Sequence, residues 1–205
     1  MKNKKISHKV YGVWEYEREI EDLNKRSLEG WQLEKGGCFH SEFVRNETIR
    51  YVYQIDYAPN LEDKEMYISF FEEQGWEYIN STFNGWHYFR KKYEEGMDRE
   101  DMEIYSDRES LVEMQKRYGR IMCFGAFFFS IGTVLYGGDA LQSNGDIARI
   151  MIALLYFLGA AAFWLVVWNQ KRKQQGKEEL VKIRYEVVII LWLILLALTF
   201  LFIMI

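Results

Sequence analysis

The chain has 205 residues, a net charge of −4 and two cysteines. Its first 117 residues carry 18 Lys and Arg against 25 Asp and Glu, whereas the remainder carries a net charge of +3. Two cysteines exclude a disulfide framework, and the acidic N-terminal part disfavours nucleic-acid binding, which needs basic side chains that neutralise phosphates.

The N-terminal part contains an imperfect repeat, preceded by a strand predicted over 6–14. Residues 15–29 carry apolar side chains at helical spacing and end at a Gly-Trp pair, Gly30 and Trp31. Residues 61–74 form a second such helix, which ends at Gly75 and Trp76. A glycine there allows the positive φ that ends a helix. The sequence therefore predicts two equivalent helix ends.

Each Gly-Trp pair opens a predicted hairpin. The first runs from 31–43 through a turn at 45–47 into 48–57. The second turns at Asn84-Gly85, a strong hairpin signal, into 86–92. The order β-α-β-β-α-β-β predicts an α+β fold in which two α-β-β repeats share one antiparallel sheet, as in ferredoxin-like domains.

Three domains are predicted: a cytoplasmic α+β domain over 1–93, a linker and juxtamembrane helix over 94–120, and a transmembrane region over 121–205. Ser106 and Glu109 have the spacing of a capping box, which would start a helix over 107–120. That helix is expected to run directly into the first membrane span.

The transmembrane prediction depends on three stretches without Asp, Glu, Lys or Arg, namely 121–136, 150–168 and 187–205. A bilayer-spanning helix needs about 20 apolar residues, so we predict three transmembrane helices. With no ionisable side chain in these spans, we interpret them as anchors, and we leave open whether they also transmit a signal. Gly159 is expected to lie on a helix-packing face.

The connecting loops predict the orientation. The first loop, 137–148, has two Asp and no Lys or Arg, whereas the second, 169–186, has six basic residues. Because positive loops stay in the cytoplasm, the second loop and the basic residues before the first span should lie inside. The N-terminus is then cytoplasmic, and the C-terminal Ile205 lies outside the cell membrane.

Aromatic side chains are abundant, and a packed core accounts for most of them. Aromatic residues also concentrate at binding sites. Trp86 and Tyr88 alternate along the last predicted strand, and we select them as exposed binding contacts.

Two histidines and a cysteine are the candidate metal ligands of the N-terminal part. Cys38 and His40 share one face of a predicted strand, and the repeat could bring His87 near them. Three such ligands would suit zinc with one open position, but there is no second chelating pair. The chain also lacks phosphate-binding, nucleotide-binding and hydrolase motifs. We therefore expect no metal site, no cofactor and no enzymatic activity.

Five elements occur together in this chain: EGWQL at 29–33, QGWEY at 74–78, the aromatic hairpins, YFRKK at 88–92 and EIYSD at 103–107. As a set they resemble the bacterial family called domain of unknown function 2812. The resemblance spans about residues 10–117. It implies a soluble domain ahead of membrane helices and, from the PadR-type regulators encoded beside many members, a membrane-linked regulatory role. It implies no catalytic residues.

Two functions are expected from these observations. In the first, the protein is a membrane-anchored regulatory or adaptor protein whose cytoplasmic domain binds a protein partner, either in a PadR-type regulator system or in a membrane complex. In the second, the domain is a ligand sensor or an accessory subunit of a transport or envelope-stress complex. The lipid bilayer is a partner in both.

Overall fold

The computed structural model describes residues 3–105, 107–182 and 184–204. The chain forms two compact units, Met1–Arg117 and Tyr118–Ile205, called here the N-terminal and the C-terminal unit.

The N-terminal unit consists of two β-α-β-β repeats. The first repeat contains β1 (Lys4–Ser7), α1 (Tyr16–Leu28), β2 (Trp31–Lys35) and β3 (Ser41–Arg45), with a 3-10 turn at Val13–Glu15. The second contains β4 (Tyr51–Tyr57), α2 (Lys64–Glu72), β5 (Glu77–Ser81) and β6 (Trp86–Lys92). The mixed α+β class is confirmed.

The strands form two antiparallel sheets, ordered β1-β3-β2 and β4-β6-β5. The prediction of a single ferredoxin-like sheet is therefore wrong. Residues 31–43 are not one strand, because Gly36 and Gly37 end β2 and turn the chain into β3. A Cβ on Gly36 would come within 2.6 Å of the Tyr88 ring, and one on Gly37 within 2.4 Å of the His40 carbonyl oxygen. The predicted turn at 45–47 instead connects β3 of one sheet with β4 of the other.

The two repeats correspond residue by residue around the Gly-Trp pairs. Gly30 and Gly75 have φ of 80° and 84°, which confirms both predicted helix ends. In each repeat the strand that follows pairs with a buried phenylalanine, Leu33 with Phe43 and Tyr78 with Phe89, and the register shifts directly after that pair. Each repeat also begins with a strand, β1 or β4, so the observed repeat is β-α-β-β and not the predicted α-β-β.

The C-terminal part is helical, with α3 (Arg108–Gln142), α4 (Ile147–Gln174) and α5 (Tyr185–Met204). At the start of α3 the Asp107 carboxylate accepts the Ser110 backbone N–H at 2.8 Å. Ser106, the first residue of the predicted capping box, lies outside the described residues, as does Ile205.

Two helices in the described part of the chain, α3 and α4, are long and apolar enough to span a membrane. The prediction of three such helices is not supported. The third predicted span, 187–205, falls on α5, which does not count as such a helix among the described residues.

Glycines make room for aromatic rings between α3 and α4 within the C-terminal unit. A Cβ on Gly125 would lie 2.7 Å from the Phe163 ring, and one on Gly159 would lie 2.5 Å from the Phe129 ring. Gly159 thus lies on a packing face, where the absence of a side chain leaves room for the Phe129 ring of α3.

Candidate functional site

A cavity of about 590 Å³ lies beside α2 in the N-terminal unit. It is open to solvent and is lined by the end of β4, the loop at 60–63, α2, Tyr105 and the first turns of α3. We call it the α2 cavity. Its volume falls within the range of small-molecule sites, roughly 300–1,000 Å³.

The polar part of the lining centres on Asp56, whose side chain is almost fully buried. The Tyr67 hydroxyl donates to Asp56 Oδ2 at 2.6 Å, and the Tyr105 hydroxyl donates to Oδ1. Oδ1 also accepts the Tyr57 backbone N–H at 2.6 Å and Arg117 Nη2 at 3.2 Å. A buried carboxylate is tolerated because it is paired and hydrogen-bonded in this way.

The two tyrosines act as fixed donors at physiological pH. Burial, reinforced by the nearby Asp56 carboxylate, raises the pKa of Tyr67 and the pKa of Tyr105 well above the ordinary tyrosine value. Both hydroxyls therefore keep their protons and hold the carboxylate in place.

His87 lies directly behind this network, with its ring centroid 5.0 Å from that of Tyr67. Its Nε2 lies 3.1 Å from the Ala58 carbonyl oxygen, which can only accept, so Nε2 carries the proton. Burial lowers the pKa of His87, which keeps the ring neutral. We therefore interpret His87 as a support for Tyr67.

The apolar wall of the cavity is formed mainly by α2. Tyr67 and Phe71 face the core, whereas Met66 and Phe70, which are offset by one residue, are 69% and 59% exposed. Large apolar side chains this exposed, beside a concave site, are typical of a binding surface.

A second polar contact joins the two repeats. Tyr88 on β6 donates its hydroxyl proton to Oε1 of Glu19 on α1 at 2.7 Å. Burial raises the pKa of Glu19 to about 7, although the hydrogen bond from Tyr88 opposes that rise. Glu19 consequently titrates in the neutral range.

We expect Glu19→Gln to stabilise the N-terminal unit at pH 8 and to have little effect at pH 5. The folded unit holds the Glu19 proton more tightly than the unfolded chain, so stability falls as the pH rises from about 4.5 to about 7 and is constant above. Removing this titration should gain on the order of 3 kcal/mol at pH 8. Urea unfolding of the full-length protein in micelles measures it.

Glu21→Gln is the matched control, because Glu21 lies on the same helix and is exposed. If wild type and Glu19→Gln showed parallel pH profiles, the buried carboxyl would not be the titrating group.

Trp86 and Tyr88 do not lie at the surface, so the prediction that they are exposed contacts is wrong. Their side chains are 7% and 3% exposed. The Trp86 ring packs 4.9 Å from the Tyr57 ring, and the Tyr88 ring fills the space beside Gly36. The first four side chains of β6, at 86–89, are all buried, so both faces of this part of the strand are covered.

The three candidate metal ligands are engaged elsewhere. The Cys38 thiol donates to Asn84 Oδ1 at 3.1 Å, His40 Nε2 lies 3.8 Å from the Glu42 carboxylate, and His87 bonds to Ala58. Among the residues that the structure describes, no group of three or more His, Cys, Asp or Glu side chains has the arrangement of a metal site.

Sequence reasoning missed the α2 cavity, although two signals were present. Asp56 is an acidic residue within the otherwise largely apolar strand Tyr51–Tyr57. Met66 and Phe70 are four residues apart and form an apolar row of their own beside the core-facing row.

A family model described as "Protein of unknown function (DUF2812)" matches residues 15–127, more than half of the chain. The match includes every residue that lines the α2 cavity. No curated protein and no solved structure matches the chain.

Proposed function

The chain belongs to the DUF2812 family, and we propose that it is a membrane-anchored regulatory protein whose N-terminal unit binds a small molecule in the α2 cavity. The observation that carries this proposal is the combination of ligand-sized volume, exposed apolar wall and fixed polar network in one place.

The network supports binding better than catalysis. The Asp56 carboxylate accepts four hydrogen bonds, three at Oδ1 and one at Oδ2. A carboxylate occupied in this way is poorly placed to take a proton from a substrate. We therefore assign Asp56 the role of fixing the shape of the cavity, in keeping with a protein that is not an enzyme.

Membrane anchoring is proposed through α3 and α4, with the N-terminal unit in the cytoplasm. Basic residues flank the hairpin at the end opposite the segment 137–148, which has two Asp and no Lys or Arg; they are Lys116, Arg117, Arg120, Lys171, Arg172 and Lys173. Positive residues remain inside. Activity of an export-dependent reporter fused after residue 177, or its silence after Gly138, would contradict this orientation.

Photoreactive fragments applied to native membranes test the binding function. Labelled peptides should map to α2 and the start of α3. Phe70→Ser should reduce that labelling by about tenfold, the equivalent of losing ~1.5 kcal/mol of apolar burial. Phe83→Ser is the matched control, since Phe83 is 85% exposed and does not line the cavity. Labelling spread evenly over exposed aromatic residues would contradict a defined site.

A second candidate function is that of an adaptor for a protein partner, from a PadR-type regulator system or a membrane complex. Phe39 and Phe83 support it: they lie in the hairpin loops of the two repeats, are 67% and 85% exposed, and stack at 6.4 Å. Exposed aromatic pairs suit protein docking. Crosslinking in native membranes should recover less partner with Phe39→Ser and unchanged partner with Phe70→Ser if this function holds.

A further inference from the structure

The charge of the α2 cavity restricts the ligands it can take. Four carboxylates line it, from Asp56, Glu62, Asp63 and Glu113, against one guanidinium, from Arg117. Arg117 is paired with Asp56 at 3.2 Å, so these two charges offset each other. The other three carboxylates, from Glu62, Asp63 and Glu113, belong to exposed residues and are called here the rim carboxylates; they give the lining an excess of three negative charges.

No ion pair joins the three rim carboxylates to a basic side chain in the described part of the chain. Asp63 accepts the Met66 backbone N–H at 2.8 Å, which fixes the start of α2 and leaves the negative charge uncompensated by a cation. Glu62 and Glu113 are exposed. The three rim carboxylates therefore place uncompensated negative charge beside the apolar wall of the cavity. This charge attracts cations and repels anions.

The apolar lining of the cavity adds a preference for the uncharged part of a ligand. Tyr67 and Phe70 present aromatic rings and Met66 a polarizable thioether, which favour apolar bodies with ring systems. Aromatic faces also attract cations. An inorganic cation would gain little from such a wall.

We infer that the α2 cavity takes an organic cation with an apolar, ring-containing body. The apolar body packs on Met66 and Phe70, and its positive charge lies near the carboxylates of Glu62 and Glu113. This inference rests on the proposed binding function and adds the chemical class of the ligand.

Three triphenyl probes of similar size and shape separate charge from apolar contact: methyltriphenylphosphonium, triphenylphosphine oxide and methyltriphenylborate. Binding is measured by equilibrium dialysis of the full-length protein in uncharged micelles, with protein-free micelles as the blank. The phosphonium should bind at least about tenfold more tightly than the neutral oxide, and the borate should not bind above the blank.

Charge-neutralising variants locate the effect. Glu62→Gln with Glu113→Gln should weaken phosphonium binding by about tenfold and leave oxide binding unchanged. Glu73→Gln, an exposed acidic position outside the cavity, is the control. Equal affinity for phosphonium and oxide would overturn the cation inference, while the binding function would stand if fragment labelling still mapped to α2. Loss of both results would overturn both proposals.

Discussion

Trp76→Ala is expected to lower the free energy of unfolding of the N-terminal unit by about 3–5 kcal/mol, the usual cost of truncating a buried aromatic side chain. Trp76 is 3% exposed. It belongs to the core cluster of the second repeat, together with Val52, Phe71, Phe89 and Ile104. Hydrogen exchange of β5 and β6 in the full-length protein in micelles measures the loss.

Trp31→Ala provides a matched comparison, because Trp31 occupies the equivalent position in the first repeat. Its ring is only partly buried and lies between two basic side chains, 5.5 Å from Lys5 Nζ and 5.1 Å from Arg45 Cζ. Partly exposed cation–π contacts contribute about 0.5–1 kcal/mol each. We expect the Trp31 variant to be clearly less destabilised, and equal losses at both positions would refute this distinction between the repeats.

Local signals in the sequence predicted the local features of the fold. The Gly-Trp pairs located both helix ends, and Asn84-Gly85 located the turn before β6, where Gly85 has φ of 92°. In each case the backbone geometry at one or two residues decides the structure, so the residues alone are sufficient evidence.

Strand pairing was not predictable in the same way. β4 follows β3 along the chain but pairs with β6, and this choice depends on contacts between distant residues. Gly36-Gly37 is a local signal for the break between β2 and β3, and the predicted strand over 31–43 did not take it into account. Asn80 on β5 bonds to both the N–H and the C=O of Gly36, each at 2.8 Å, and so connects the two sheets where β2 ends.

The candidate site shows the same limit. Alternation along 86–92 suggested one exposed face, but both faces of a central strand can be covered, and Trp86 and Tyr88 are buried. On α2, by contrast, the apolar residues form two rows, and composition alone does not tell which row faces the core. Tyr105 and Arg117 reach Asp56 from residues far along the chain, which no spacing in the sequence indicates.

Asp56→Ala is expected to destabilise the N-terminal unit by about 3–5 kcal/mol, because it removes a buried carboxylate that accepts four hydrogen bonds, and each buried donor left unsatisfied costs about 1–3 kcal/mol. The variant leaves the Tyr67 hydroxyl and the Arg117 guanidinium without the acceptor that they share. It also removes the contact between β4 and the segment that carries Tyr105. Hydrogen exchange should therefore increase in β4 and in residues 99–105 together.

A double-mutant cycle with Arg117→Leu distinguishes a lost ion pair from a cavity. If the cost of Asp56→Ala comes mainly from an unpaired buried cation, the double variant should be less destabilised than the sum of the two single variants, by about 0.5–3 kcal/mol. Asp101→Ala, an exposed acidic position, is the control and should change stability little. Strict additivity would mean that the guanidinium remains solvated without Asp56, so that the two tyrosines alone hold the carboxylate in the α2 cavity.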